Sequence, residues 1–211
     1  MRIITLLFLC LASSSCRKGF EELNQNPNVT TTVDPNALFA YAQFRYHTDY
    51  LNGVRTEIWG LNNWMQVQAS INGTSSAGNE YFMSGDAINN TWSLMYADVL
   101  GNIEEAMRLT KDDPINVNKY NTYRIYRAYI YHRLTDLWDN IPYTAAHNTI
   151  NAENTPDLSP EYDPQSIVYQ DLINELRSAV SGFDQSRPDV GAQDWIYHGD
   201  VDKWIRFANS L

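Results

Sequence analysis

The stretch YNTYRIYRAYIYHRLTDLWDNIP (residues 120–142) decides the fold. Tyr123, Tyr126, Ile130, Leu134 and Leu137 recur at three- and four-residue spacings, which places them on one face of an α-helix. The pattern stops at Asn140-Ile141-Pro142, where proline cannot continue a helix. Tyr120, Tyr123, Tyr126, Tyr129 and Tyr131 fall at helical spacing too, which favours helix packing for them. Arg127 and Arg133 are expected to pair with acids such as Asp136, three residues beyond Arg133.

The same period recurs on both sides. Asp34-Pro35 and Asp163-Pro164 each set a capping acid before a proline at a first helical position. A first helix is expected from about Pro35 to Leu51, and a second carries Val54, Ile58, Leu61 and Met65. A third carries Ile88, Trp92, Met95, Val99, Ile103 and Ala106, ahead of the helix quoted above. A fifth carries Val168, Leu172, Leu176, Ala179, Val180 and Phe183, and a sixth, starting near Asp200, carries Val201, Ile205, Ala208 and Leu211. No segment alternates with period two, so strands are at most short. The expected fold is all-α, built of packed helix pairs with a faint tetratricopeptide likeness and long loops. Residues 70–86 and 141–162 form the two long loops that stand out, the first rich in Ser, Gly and Asn, the second in Pro. The chain ends at Leu211 in mid-pattern without a glycine cap or proline, so its last helix reads as cut and the fold as truncated.

The 211 residues carry 15 basic and 25 acidic side chains, a net charge of −10. This acidity, with no basic cluster, argues against a nucleic-acid partner. At the N-terminus, Met1-Arg2 precedes the ten apolar residues IITLLFLCLA (3–12) and three serines before Cys16. The run is too short to span a bilayer and reads as a signal sequence over residues 1–15. It resembles a bacterial lipoprotein signal, which would make Cys16 the acylated N-terminus, although Ser13 stands where an aliphatic residue is usual. Residues 16–33 then form a polar tether, and 34–211 the helical scaffold.

Four ordered motifs resemble the N-terminal part of the SusD/RagB-type outer-membrane lipoproteins. They are FEELNQNPN (Phe20 to Asn28), RAYIYHRLTDLWDNIPYT (Arg127 to Thr144), YDPQSIVYQDLINEL (Tyr162 to Leu176) and DWIYHGDVDKWIRFANSL (Asp194 to Leu211). The chain departs from the family at Trp138-Asp139-Asn140, where an aromatic followed by Gly-Asp is frequent. Arg17-Lys18 also stands where an acidic surface-export signal is common. The resemblance implies a surface-exposed outer-membrane protein, lipid-anchored at Cys16, that captures an oligosaccharide or other nutrient. It would act as the lid of a SusC-like TonB-dependent transporter, with no cofactor and no catalytic residues.

Sugar recognition needs flat aromatic faces for C–H surfaces and side-chain amides for hydroxyls. The second helix offers both. Trp59, Asn62 and Gln66 share a stripe, Asn63 and Trp64 lie beside it, and the following loop adds Asn72, Asn79 and Tyr81. These eight residues are the candidate ligand contacts. Enzyme readings fare poorly. His47, His132, His147 and His198 lack metal-ligand spacing, no nucleophile elbow or phosphate loop occurs, and Glu104-Glu105 read as a solvated helix face. Two alternatives are a periplasmic helical-repeat scaffold that binds proteins and no glycan, and a hydrolase whose active site lies beyond this chain.

Overall fold

The computed structural model describes residues 33–48, 61–67, 81, 85–146 and 159–211. Within them the chain is all-α, and residues from Asp34 to Leu211 form one compact unit. The elements are α1 (Pro35–Thr48), the single turn α2 (Asn62–Trp64), α3 (Gly85–Ser93), a π-helical segment (Leu94–Leu100) and α4 (Gly101–Thr110). A 3-10 turn (Pro114–Asn116) leads into α5 (Val117–Trp138), followed by α6 (Gln165–Ser181), a second 3-10 turn (Gly191–Gln193) and α7 (Val201–Ser210). Among the described residues the nearest thing to a strand is the antiparallel bridge between Ile141 and Asp163. No described helix is long and apolar enough to cross a membrane.

The helix starts follow the capping logic in part. The Asp34 Oδ1 accepts from the Asn36 amide at 2.9 Å, and the Asp200 Oδ1 from the Lys203 amide at 3.0 Å. At α6 the expected cap changes hands. The Asp163 carboxylate instead accepts from the Tyr143 and Thr144 amides at 3.1 and 2.8 Å, and Asn140 Oδ1 accepts from the Gln165 amide at 3.1 Å. The bridge to Ile141 turns Asp163 toward the end of α5, which takes it away from its own helix.

The expected third helix is one continuous rod from α3 through the π segment to α4. The π segment shifts the hydrogen-bond register, with the Gly101 amide bonding the Tyr96 carbonyl. It buries Leu94 and Leu100 in addition to the stripe residues Met95 and Val99, and α4 buries Ile103 and Ala106 of the same stripe. α5 packs along α6 on one side and α4 on the other, while α1 lies on α4 and the π segment.

The core is an aromatic cluster. Phe39 of α1 meets Tyr123 and Tyr126 of α5 at 4.8 and 5.4 Å, and Trp204 of α7 at 6.1 Å. The fully buried Tyr123, Tyr126 and Tyr131 act as packing residues. α7 corrects the sequence reading: the residues it buries are Trp204 and Ala208, whereas Val201 and Ile205 are half-buried and Leu211 is exposed. Trp204 faces inward because its indole N–H has a buried partner, the Asp194 Oδ2 at 2.7 Å.

Asp194 is fully buried and collects five donors. Besides Trp204 Nε1, its oxygens accept from Gln43 Nε2 at 2.9 Å and from the amides of Ile196, Tyr197 and Gly199 at 3.0, 3.4 and 3.0 Å. Gln43 closes the loop by accepting the Trp195 amide at 2.8 Å. Gly199 has φ 80°, and a Cβ there would come within 2.6 Å of the Gly191 amide nitrogen, so glycine is required.

Two predictions follow from this core. Replacing Asp194→Ala orphans several buried donors at once and should cost about 4 kcal/mol or more in urea unfolding, against under about 1 kcal/mol for the exposed Asp202→Ala. Burial raises the pKa of the Tyr46, Tyr96, Tyr123, Tyr126, Tyr131 and Tyr143 phenols above the ordinary value. Their stabilising contribution is present in full below about pH 10 and is lost as pH rises through the raised folded values. Phenolate absorbance from these rings should therefore appear together with loss of helical circular dichroism. Ionisation of all tyrosines with the helices intact would refute this.

Candidate functional site

The candidate contacts divide into three groups. Trp59, Asn72 and Asn79 lie outside the described residues, as does Cys16. Asn62 and Trp64 are half-buried, and Asn63 is buried. Gln66 and Tyr81 are exposed and are brought together, with Gln66 Nε2 donating to the Tyr81 hydroxyl at 3.0 Å.

The expected stripe through this segment does not continue. The described helix is confined to Asn62–Trp64, and Met65 closes it with its amide on the Leu61 carbonyl. Gln66 then turns the chain at φ 58°, with the Val67 amide returning to the Asn62 carbonyl. Gln66 therefore does not share a helical face with Asn62. The same turn throws Met65 outward, 74% exposed, although the periodicity puts it on the core stripe.

Chemically, the Gln66–Tyr81 pair combines a ring with a primary amide. The hydrogen bond between them leaves the Gln66 carbonyl oxygen as an acceptor and the Tyr81 hydroxyl proton as a donor. The Tyr81 ring is 61% exposed and has φ 58°. Such a pair can stack one face of a sugar ring and bind a hydroxyl beside it. The Trp64 indole nitrogen is buried and has no partner among the described residues, so it faces inward.

The charged side chains turn out to be structural. Arg127 is paired with Glu104 of α4, not with Asp136, and its guanidinium lies over the Tyr131 and Tyr143 rings at 4.9 and 5.4 Å. Tyr143 passes the contact on to α6 by donating to Asp171 at 2.5 Å. Arg124 holds Glu175 in a two-pronged pair at 2.8 and 2.9 Å. Burial works to raise the Glu175 pKa, and Arg124 outweighs it, so the carboxyl stays below its usual range. Asp136 accepts from Tyr169 and lies 3.4 Å from His132. That hydrogen bond, more than burial, pushes the Tyr169 phenol up to about 12.

Glu104 and Glu105 are ion-paired, to Arg127 and Arg108 respectively, where the sequence suggests a solvated face. Two acids each held by its own arginine are poor candidates for a general acid and base. No group of three or more His, Cys, Asp or Glu among the described residues is placed to hold a metal ion. Surface concavities include an open groove of about 620 Å³ lined by Glu104, Glu105, Arg108, Lys111 and Tyr120. A more apolar one of about 330 Å³ is lined by Ile173, Leu176, Val180, Ala208 and Leu211.

A SusD-like family model, described as starch-binding associating with outer membrane, matches residues 27–211. No curated protein matches the chain. Among solved structures, a SusD-like protein labelled Bacteroidetes AC2a is 28% identical with a TM-score of 0.69, covering 85% of this chain and 32% of its own. A SusD homologue from Parabacteroides distasonis ATCC 8503 is 24% identical with a TM-score of 0.71, covering 85% and 34%. A chitin-binding SusD homologue from Flavobacterium johnsoniae is 20% identical with a TM-score of 0.63, covering 83% and 37%. The chain thus spans about a third of the length of these solved relatives. The helical scaffold agrees with theirs, and the family model covers nearly everything after the N-terminal segment. The chain belongs to the SusD-like family.

Proposed function

We propose that this chain contributes the helical scaffold and part of the ligand surface of a glycan-capturing protein of the outer membrane. The match of the family model over residues 27–211 carries this reading. The solved relative from Flavobacterium johnsoniae that is named as chitin-binding supports a polysaccharide as the ligand class. The exposed Gln66–Tyr81 pair supplies a ring and an amide suited to that chemistry. Asn62, Asn63 and Trp64 are proposed as further contacts, and so are Trp59, Asn72 and Asn79, which lie outside the described residues.

The protein is anchored by lipid on Cys16 and faces the cell exterior. Each buried methylene of an acyl chain contributes about 0.8 kcal/mol, so two or more chains hold it stably. Its partner is a SusC-like TonB-dependent transporter, over which it acts as a capturing lid. Its role is binding rather than catalysis.

Retention on insoluble chitin and starch tests the ligand class. The chain should bind one of them, with soluble oligosaccharide affinities on the order of μM to mM. Combining Gln66→Ala with Tyr81→Ala should weaken binding about tenfold, from one hydrogen bond and one stacking contact. Equal retention of this variant would remove the pair from the site. Mass spectrometry of the N-terminus with and without globomycin tests the anchor, and mature protein with an unmodified Cys16 would contradict it.

A further inference from the structure

A second aromatic surface gathers where α5 ends. Trp92 near the end of α3, Trp138 at the last position of α5 and Tyr162 just before α6 meet there. The Trp92 and Tyr162 rings are nearly parallel, 14° apart with centroids at 6.1 Å. Trp138 meets Trp92 edge to face at 5.2 Å. Trp92 and Trp138 are half-buried, while Tyr162 is 61% exposed. Tyr162 therefore turns one face toward Trp92 and offers the other to solvent.

Several contacts fix this surface before any ligand arrives. Ile141 and Asp163 exchange backbone hydrogen bonds at 3.2 and 2.8 Å. The Asp163 carboxylate holds the Tyr143 and Thr144 amides. The Tyr96 hydroxyl donates to the Pro142 carbonyl at 2.7 Å, tying the same segment to the π helix. A ring held on such a backbone loses little freedom on binding, which favours recognition.

The residue after Trp138 is strained. Asp139 has φ 64° and ψ −106°, a conformation that only glycine adopts without strain. Its backbone is held there, the amide bonding the Thr135 carbonyl at 2.8 Å and the carbonyl accepting from Thr135 Oγ1 at 2.7 Å. The Asp139 side chain is exposed, and its carboxylate has no hydrogen-bond or ion-pair partner among the described residues. The strained backbone makes its contacts with Thr135, and the side chain adds none among the described residues. Its carboxylate directly follows Trp138 in the chain, Asn140 comes next, and Glu161 precedes Tyr162, all of them exposed.

A flat ring bordered by acceptors suits a pyranose. The C–H face of the sugar stacks on the ring, and its hydroxyls donate to the carboxylates. An acidic ligand would be repelled by Asp139 and Glu161. An apolar segment would have to desolvate them. We propose that Tyr162, backed by Trp92 and Trp138 and flanked by Asp139, is a second pyranose-stacking subsite, separate from the Gln66–Tyr81 pair. It rests on the glycan-binding reading given above.

Titration with chitotriose and with maltotriose, followed by tryptophan fluorescence and calorimetry, tests this on four chains. These are the wild type, Tyr162→Ala, Asp139→Gly, and the double variant Gln66→Ala with Tyr81→Ala. The wild type should bind at least one sugar. Tyr162→Ala should weaken that binding about fivefold. Asp139→Gly should weaken it about tenfold while raising Tm, because the strain is relieved as the acceptor is lost. A purely structural Asp139 would raise Tm on replacement and leave affinity unchanged. Wild-type affinity in both Tyr162→Ala and Asp139→Gly, with binding lost in the double variant, would overturn the subsite and leave the glycan-binding reading standing. A folded wild-type chain that binds neither sugar would overturn both.

Discussion

The fold depends on one buried carboxylate. Asp194 is fully excluded from water, and an unpaired charge in that position would be prohibitively costly. Its two oxygens are satisfied by donors from three parts of the chain: Gln43 of α1, the turn from Ile196 to Gly199, and the indole of Trp204 in α7. Hydrogen bonds to a charged group contribute about 1.5–3 kcal/mol each when they are complete, and leaving them incomplete costs at least as much. The arrangement is therefore nearly all-or-none. It fixes Trp204, which in turn closes the aromatic cluster of Phe39, Tyr126, Tyr197 and Phe207 around it. The glycine at 199 is part of the same constraint, since its amide reaches Asp194 only through a backbone turn that leaves no room for a side chain.

The helical scaffold is largely legible in the sequence, whereas the Asp194 contacts are not, and the failures share a cause. Hydrophobic period locates α5 and α6 well, because tyrosine, aliphatic and alanine residues make up most of their buried faces. It misplaces the inner face of α7. There the decisive term is a hydrogen bond from Trp204 to an acid ten residues earlier, which periodicity does not encode. Asp163 looks like a cap from its neighbour Pro164, yet a contact across twenty residues takes its carboxylate elsewhere. Arg127 reads as a local ion pair and is a long-range one to Glu104. Local rules hold wherever local partners are the best available and fail where a tertiary partner is better. Among the candidate ligand contacts, the pairing of Gln66 with Tyr81 depends on two left-handed residues that no spacing rule reveals.

The aromatic content takes on a divided meaning. Phe39, Tyr123, Tyr126, Tyr131 and Trp204 are fully buried and hold helices together. Tyr81 and Tyr162 lie on the surface, each beside polar groups. The buried set makes the scaffold rigid, and the exposed set has positions that the scaffold dictates. The Arg127–Glu104 pair and the Tyr143–Asp171 bond link α4, α5 and α6 to the segment that carries Tyr162. Binding surfaces on short turns need such support, because a loop ordered only on binding would lose affinity to entropy.

Native-state hydrogen exchange gives the most direct measure of whether the Asp194 contacts are integral to the fold. The indole N–H of Trp204 and the amide of Gly199 should open only with the whole molecule, at the same free energy as the α5 amides of Tyr126 and Ile130. Exchange of the Trp204 and Gly199 protons through local opening, while the α5 amides stay protected, would contradict the account. It would show that the helices cohere without the buried carboxylate.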